Sequence, residues 1–167
     1  MQRNASSTRV LAVASAGGHW VQLRRLSPAW DGCAVTYVTT KSGYREEVLG
    51  DTPGEGQAQT GFLIVPDASI WQKFRLVRLS LAMALVFLRV WPHVVVTTGA
   101  APGFFALWIG KLLGARTIWV DSIANAGELS SSGRKVKSCA DLWLTQWEHL
   151  AKGDGKQRAP LYRGAVF

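Results

Sequence analysis

Short, wholly apolar runs alternate along the chain with longer stretches of helical character. Residues 9–15 (RVLAVAS) read as a buried strand, and Ala16-Gly17-Gly18-His19 turns the chain into a helix running to about Leu26, short of Pro28. Residues 33–40 (CAVTYVTT) predict a second strand and 44–49 a short helix; a polar loop with Gly and Pro fills 51–60, and a third strand follows at 62–65. Further on come a helix over 70–91 ended by Pro92, a strand at 93–98, a helix at 103–113 and a strand at 116–122. The last elements are a helix near 132–139, a strand at 142–145 and a short strand within 162–167. Strands apolar throughout and separated by helices imply a parallel sheet covered on both faces, hence a doubly wound, Rossmann-like α/β domain.

The helix at 70–91 stands out because residues 79–88 are apolar apart from Ser80 and are bounded by Arg78 and Arg89. Ten residues cover roughly 15 Å, about half of a bilayer's hydrocarbon thickness, so the run is too short to span. A core-facing helix is the favoured reading of 79–88. Its flank reads differently: Trp71, Lys73, Phe74, Arg75 and Arg78 combine aromatic and basic groups as interfacial anchors do.

Composition narrows the class. At 167 residues, 48% apolar and 18% charged, the chain is sized for a single domain over 1–167, with the polar residues 1–8 expected to be flexible. Cys33 and Cys139 lack metal-ligand spacing and read as small core residues in a reducing compartment. No metal site and no secretion signal is expected, which places the chain in the cytoplasm. The net charge of +8 calls for an anionic partner. Basic residues gather beside apolar helical stretches, as on a membrane-facing surface, while nucleic-acid motifs are missing.

Three loops fall at the carboxyl edge of such a sheet, where ligands bind. In the first, Gly17 and Gly18 allow close approach to the backbone, and His19 at the helix start is placed to accept a proton; capping or packing is the alternative role for His19. The second carries Thr98, Gly99, Ala100, Ala101, Pro102 and Gly103, and is either a bare backbone cradle or a plain turn. The third sets Asp121, Ser122 and Asn125 after an apolar strand, suited to a hydroxyl-rich ligand or, equally, to capping and turn formation. Neither the dinucleotide fingerprint nor a P-loop is present, which argues against NAD and ATP enzymes.

Four blocks, residues 16–23 (AGGHWVQL), 97–103 (TTGAAPG), 119–125 (WVDSIAN) and 140–147 (ADLWLTQW), resemble the PssD family of bacterial exopolysaccharide proteins. That family is similar to the asparagine-linked glycosylation protein fourteen of eukaryotes and to the N-terminal half of MurG. The resemblance covers nearly the whole chain and implies a split GT-B glycosyltransferase. In this reading the chain is the acceptor-side, membrane-associated half, and a small partner resembling the C-terminal half binds the UDP-sugar. A lipid-pyrophosphate-linked sugar is the implied acceptor, with His19 and Asp121 as candidate base and helper, no cofactor, and a peripheral site on the cytoplasmic face of the inner membrane. The alternative is a non-catalytic membrane scaffold that recruits and activates a partner transferase. The chain departs from the eukaryotic members in having Asp121-Ser122-Ile123-Ala124-Asn125 for Glu-Ser-Phe-Ala-Arg, Gln22 near a position where they carry Glu, and no counterpart of their N-terminal transmembrane helix.

Overall fold

The computed structural model describes residues 7–50, 60–69, 71–152 and 158–166. Residues 1–6 of the expected flexible start and 51–59 of the expected loop lie outside them. The strands are β1 (Arg9–Val13), β2 (Ala34–Thr39), β3 (Gly61–Ile64), β4 (Val94–Thr97), β5 (Arg116–Val120), β6 (Leu142–Thr145) and β7 (Leu161–Tyr162). Between them run the helices α1 (Gly18–Arg25), α2 (Arg45–Gly50), α3 (Lys73–Val90), α4 (Ala100–Leu112) and α5 (Ser131–Lys135). All neighbouring strands pair in parallel in the order β3-β2-β1-β4-β5-β6-β7. This is the Rossmann-like doubly wound sheet that the alternation of apolar runs predicts.

The two-residue period of a strand divides the sheet's side chains between two cores. Leu11, Val13, Val38, Val95 and Trp119 face α3 and α4, where they meet Leu79, Met83, Phe87, Ala106 and Leu107. Val10, Ala12, Ala14, Val35, Tyr37 and Val96 face the other side, against Trp20 and Leu23 of α1 and Val48 of α2. Strands buried on both faces explain why their sequence is apolar without alternation.

Several boundaries differ from the sequence expectation. Pro28 does not stop a helix but opens a 3₁₀ turn at Ser27–Trp30, since a proline near a helix start sacrifices no intrahelical bond. By the same logic α4 begins at Ala100 instead of residue 103: Pro102 is its third residue, where no N–H is needed. At its other end α3 stops at Val90, and Trp91 closes it in the left-handed conformation at φ 46°. The final strand is Leu161–Tyr162, paired with Leu144 and Thr145, rather than a segment within 162–167.

Candidate functional site

The sheet order reverses between β1 and β4, so the loops after these two strands flank the crevice in which open α/β sheets bind ligands. His19 ties the two loops together. Its Nδ1 lies 2.8 Å from the carbonyl oxygen of Thr98, and the Thr98 hydroxyl donates to the His19 carbonyl at 2.7 Å. A carbonyl can only accept, so in the neutral ring Nδ1 carries the proton and Nε2 holds the free lone pair. No described residue engages Nε2.

Glycine is required on both sides of this ring. Gly17 adopts φ 85° in the turn before α1, and Gly99 adopts φ 131° before α4. A Cβ at residue 99 would stand 2.8 Å from Cε1 of His19, so the imidazole packs directly on the Gly99 backbone. The first loop is held from outside by the Tyr44 hydroxyl, which accepts from Gly17 N at 3.1 Å, while the Tyr44 ring stacks on Trp20 with centroids 4.8 Å apart.

The predicted site residues therefore sort by burial. Gly17 and Gly18 are exposed, and His19, Ala100, Ala101 and Asn125 are half-buried. Thr98, Gly99, Pro102, Gly103, Asp121 and Ser122 are buried. The second loop is thus no bare cradle: Ala100, Ala101, Pro102 and Gly103 form the opening of α4, and Gly103 packs onto Thr97 with no room for a side chain.

Asp121 departs furthest from its expected setting. It is 1% exposed. Its Oδ1 accepts from Trp119 Nε1 at 3.1 Å and from the Ser130 hydroxyl at 2.5 Å, and its Oδ2 accepts from Ser130 N at 3.0 Å. A buried carboxylate surrounded by donors is an anchor for the segment between β5 and α5. That segment in turn places Ser130 as the N-cap of α5, accepting from Gly133 N at 2.8 Å.

Two buried amides carry a network that the sequence reading did not select. Gln22, one turn after His19 on α1, donates to Ser122 Oγ at 3.1 Å, and its oxygen accepts from Ile123 N and from Gln146 Nε2. Gln146, just after β6, also donates to the carbonyl of Asp121 at 2.9 Å and accepts from Val166 N at 2.8 Å. Four carboxyl-edge segments are thereby locked to one another. The available signal was a glutamine three residues after His19, on the same side of a helix whose neighbours Trp20 and Leu23 are core residues.

On the opposite face of the sheet from α1, α3 is apolar on both of its own sides. Leu79, Met83, Val86 and Phe87 are buried, so the core-facing expectation holds for them. Val77, Leu81, Leu85 and Leu88 are each more than half exposed, and Phe74 reaches 90%. These five positions, at spacings of three and four, make one continuous outward stripe. Trp71 is 86% exposed beside it. Lys73, Arg75 and Arg78 make no ion pair with a carboxylate among the described residues. No helix of the described residues is long and apolar enough to cross a membrane, and these residues contain no cluster of His, Cys, Asp and Glu able to hold a metal ion.

A single seven-stranded parallel sheet with helices on both faces, its order reversing between β1 and β4, is the architecture of Rossmann-like domains. Superposition places the chain among them: 88% of it matches 44% of Acinetobacter baumannii MurG at TM-score 0.65 and 12% identity. It also matches 41% of the UDP-GlcNAc 2-epimerase of Neisseria meningitidis, over 85% of its own length, at TM-score 0.58 and 11% identity. The chain spans less than half the length of either protein. In sequence it is similar to the UDP-N-acetylglucosamine transferase subunit ALG14 of Eremothecium gossypii, 26% identical over 166 residues, covering 86% of this chain and 74% of that protein. No family model matches.

Proposed function

We propose that this chain is the acceptor-side subunit of a two-chain glycosyltransferase, of the PssD-like kind, which moves a sugar from a UDP-sugar to a lipid-pyrophosphate-linked saccharide during exopolysaccharide assembly. The carrying observation is the clasp of His19 between the β1 and β4 loops at the switch point, with Nε2 unengaged. In the reaction the acceptor hydroxyl oxygen forms the new bond to the anomeric carbon, and UDP leaves with the electron pair of the broken bond. The hydroxyl proton passes to His19 Nε2. The exposed backbone of Gly17 and Gly18 is free for close approach by the acceptor, while Asp121 and the Gln22–Gln146 network hold the surrounding loops. Support for a two-chain enzyme comes from the similarity to a protein described as a transferase subunit. The small partner supplies the wall that binds the nucleotide, and no cofactor is required of this chain.

Attachment to the cytoplasmic face of the inner membrane is peripheral in this reading, through the exposed stripe of α3 and its basic, aromatic flank. The apolar residues enter the interface and Lys73, Arg75 and Arg78 meet anionic headgroups. The test is reconstitution. The purified chain alone transfers no sugar from a UDP-sugar to a lipid-linked acceptor, and transfer appears on adding a small protein resembling the C-terminal half of a GT-B enzyme. Transfer by the lone chain defeats the split-enzyme reading. Undiminished transfer by His19→Ala in the two-chain enzyme would instead favour the scaffold, in which the partner holds all the chemistry.

A further inference from the structure

At the carboxyl-edge end of the sheet, where α3 and α4 both begin, an apolar groove of about 210 Å³ is lined by Leu76, Ala101, Phe104, Phe105, Ser132 and Lys135. Ala101 is two residues from Gly99, on which the His19 ring packs, so the groove adjoins the candidate site without being part of it. Phe104 and Phe105 meet edge to face at 5.6 Å and give the groove stiff aromatic walls. Phe104, Trp108 and Leu112 recur at four-residue spacing on α4, and the latter two are 43% and 75% exposed, so the apolar wall continues out onto the surface. At the rim, Lys135 is exposed and has no carboxylate partner among the described residues. The segment leading to its helix is pinned by the Asp121–Ser130 bonds, which gives the backbone that carries Lys135 a defined place at the rim.

A hydrocarbon slot with a cation at its rim is complementary to an amphiphile whose anionic head is joined directly to its chain. We propose that the groove binds the first units of the hydrocarbon chain of the acceptor lipid, with Lys135 on the adjoining pyrophosphate. This rests on the acceptor reading above and adds a subsite to it: the lipid stem is gripped by the protein instead of remaining in the bilayer. The protein then selects its acceptor by the stem as well as by the sugar.

Prenyl diphosphates kept below their aggregation concentration test this by calorimetric titration of the full chain. Each buried methylene is worth about fourfold in affinity, so geranyl diphosphate binds at least about tenfold more tightly than dimethylallyl diphosphate. Leu76→Phe, which fills the groove from α3, removes that difference while leaving the binding of inorganic pyrophosphate unchanged. Lys135→Gln weakens all three ligands several-fold, and circular dichroism confirms that both variants fold. Equal affinity of the two prenyl diphosphates for the wild-type chain overturns the proposal without recourse to a variant. So does a Leu76→Phe chain that keeps the preference. Vesicles of phosphatidylglycerol and phosphatidylethanolamine separate the lipid sources: unchanged vesicle binding by Leu76→Phe supports a subsite for the stem, and a parallel loss reassigns the groove to bulk lipid and overturns it. Failure of the two-chain reading shows separately, as transfer without a partner.

Discussion

The Nδ1 atom of His19 and the carbonyl oxygen of Thr98 stand 2.8 Å apart, although 79 residues separate them in the chain. The ring contact sets the tautomer, and the reciprocal bond from the Thr98 hydroxyl to the His19 carbonyl holds the two backbones at that spacing. An imidazole free at both of its side-chain torsions would sample many positions; one held at Nδ1 by the carbonyl of a buried threonine presents Nε2 in a single direction.

His19→Ala in the two-chain enzyme is expected to lower kcat by about 10²- to 10⁴-fold with little change in acceptor binding, as loss of a general base does. A packing role instead gives turnover within a few-fold of wild type and a stability loss of roughly 1 kcal/mol. Measuring kcat and thermal midpoint on the same preparation distinguishes the two.

Gly99→Ala probes the same ring from below. The new methyl group would fall 2.8 Å from His19 Cε1, at a φ that residues with a side chain rarely adopt. Destabilisation of about 1–3 kcal/mol is expected from the backbone alone. The displaced imidazole should lower kcat well beyond what the folded fraction explains, and a His19→Ala/Gly99→Ala double variant should show no further kcat loss over His19→Ala. Additive kcat losses would separate the glycine from the histidine.

For Asp121 the expectation is reversed. An asparagine offers one acceptor oxygen where the carboxylate has two, and turns an N–H₂ toward the Ser130 or Trp119 donors in a fully buried setting. Asp121→Asn should therefore cost about 2–3 kcal/mol of stability while the folded fraction keeps kcat within a few-fold. A hundredfold fall in kcat with an unchanged thermal midpoint would return Asp121 to the chemistry.

These contrasts mark what the sequence could and could not convey. The strands were legible because a strand buried on both faces must be apolar along its buried length, and residues 10–13 and 94–96 are so. The turn at Gly17-Gly18-His19 was legible because only glycine suits such a backbone. Asp121 was not, because its role depends on Ser130, nine residues away, and on the close fit of α5 beneath it. Gln22 and Gln146 escaped notice for the same reason, since a glutamine's partners are set by folding across 124 residues. In α3 the apolar run at 79–88 reads as facing the core. Half of it does, and the remaining half required the structure to show that nothing among the described residues covers it.

Acid stability offers a test remote from the site. The Lys111 ammonium bonded to Asp141 holds that carboxyl below its ordinary value of 3.8, helped by bonds from the Thr117 amide and hydroxyl and opposed by partial burial. A carboxyl depressed in the folded state stabilises above its unfolded pKa, and the contribution is lost as pH falls through the folded value. The pair is well exposed, so the ionic part should be under about 1 kcal/mol. The stability difference between wild type and Asp141→Asn should be constant above about pH 5 and shrink below about pH 4; a difference that does not change with pH would assign the effect to the neutral hydrogen bonds instead.

The outward stripe of α3 gives the sharpest division between a membrane face and mere surface. Leu81 and Leu85 are 62% and 66% exposed, so replacing both with serine removes little buried area and should change stability by no more than about 0.5 kcal/mol. If the stripe enters the interface, the same double variant loses the apolar share of vesicle binding, which salt does not screen. Lys73→Glu/Arg75→Glu/Arg78→Glu loses the electrostatic share, visible as a flattened salt dependence on phosphatidylglycerol vesicles. The two sets of substitutions should act independently, one on salt-resistant and the other on salt-sensitive binding. Wild-type vesicle binding by both variants would leave five aligned apolar residues, and three cations without a carboxylate partner among the described residues, facing a protein partner, and co-purification of the second subunit with the leucine variant would then be the measurement to make.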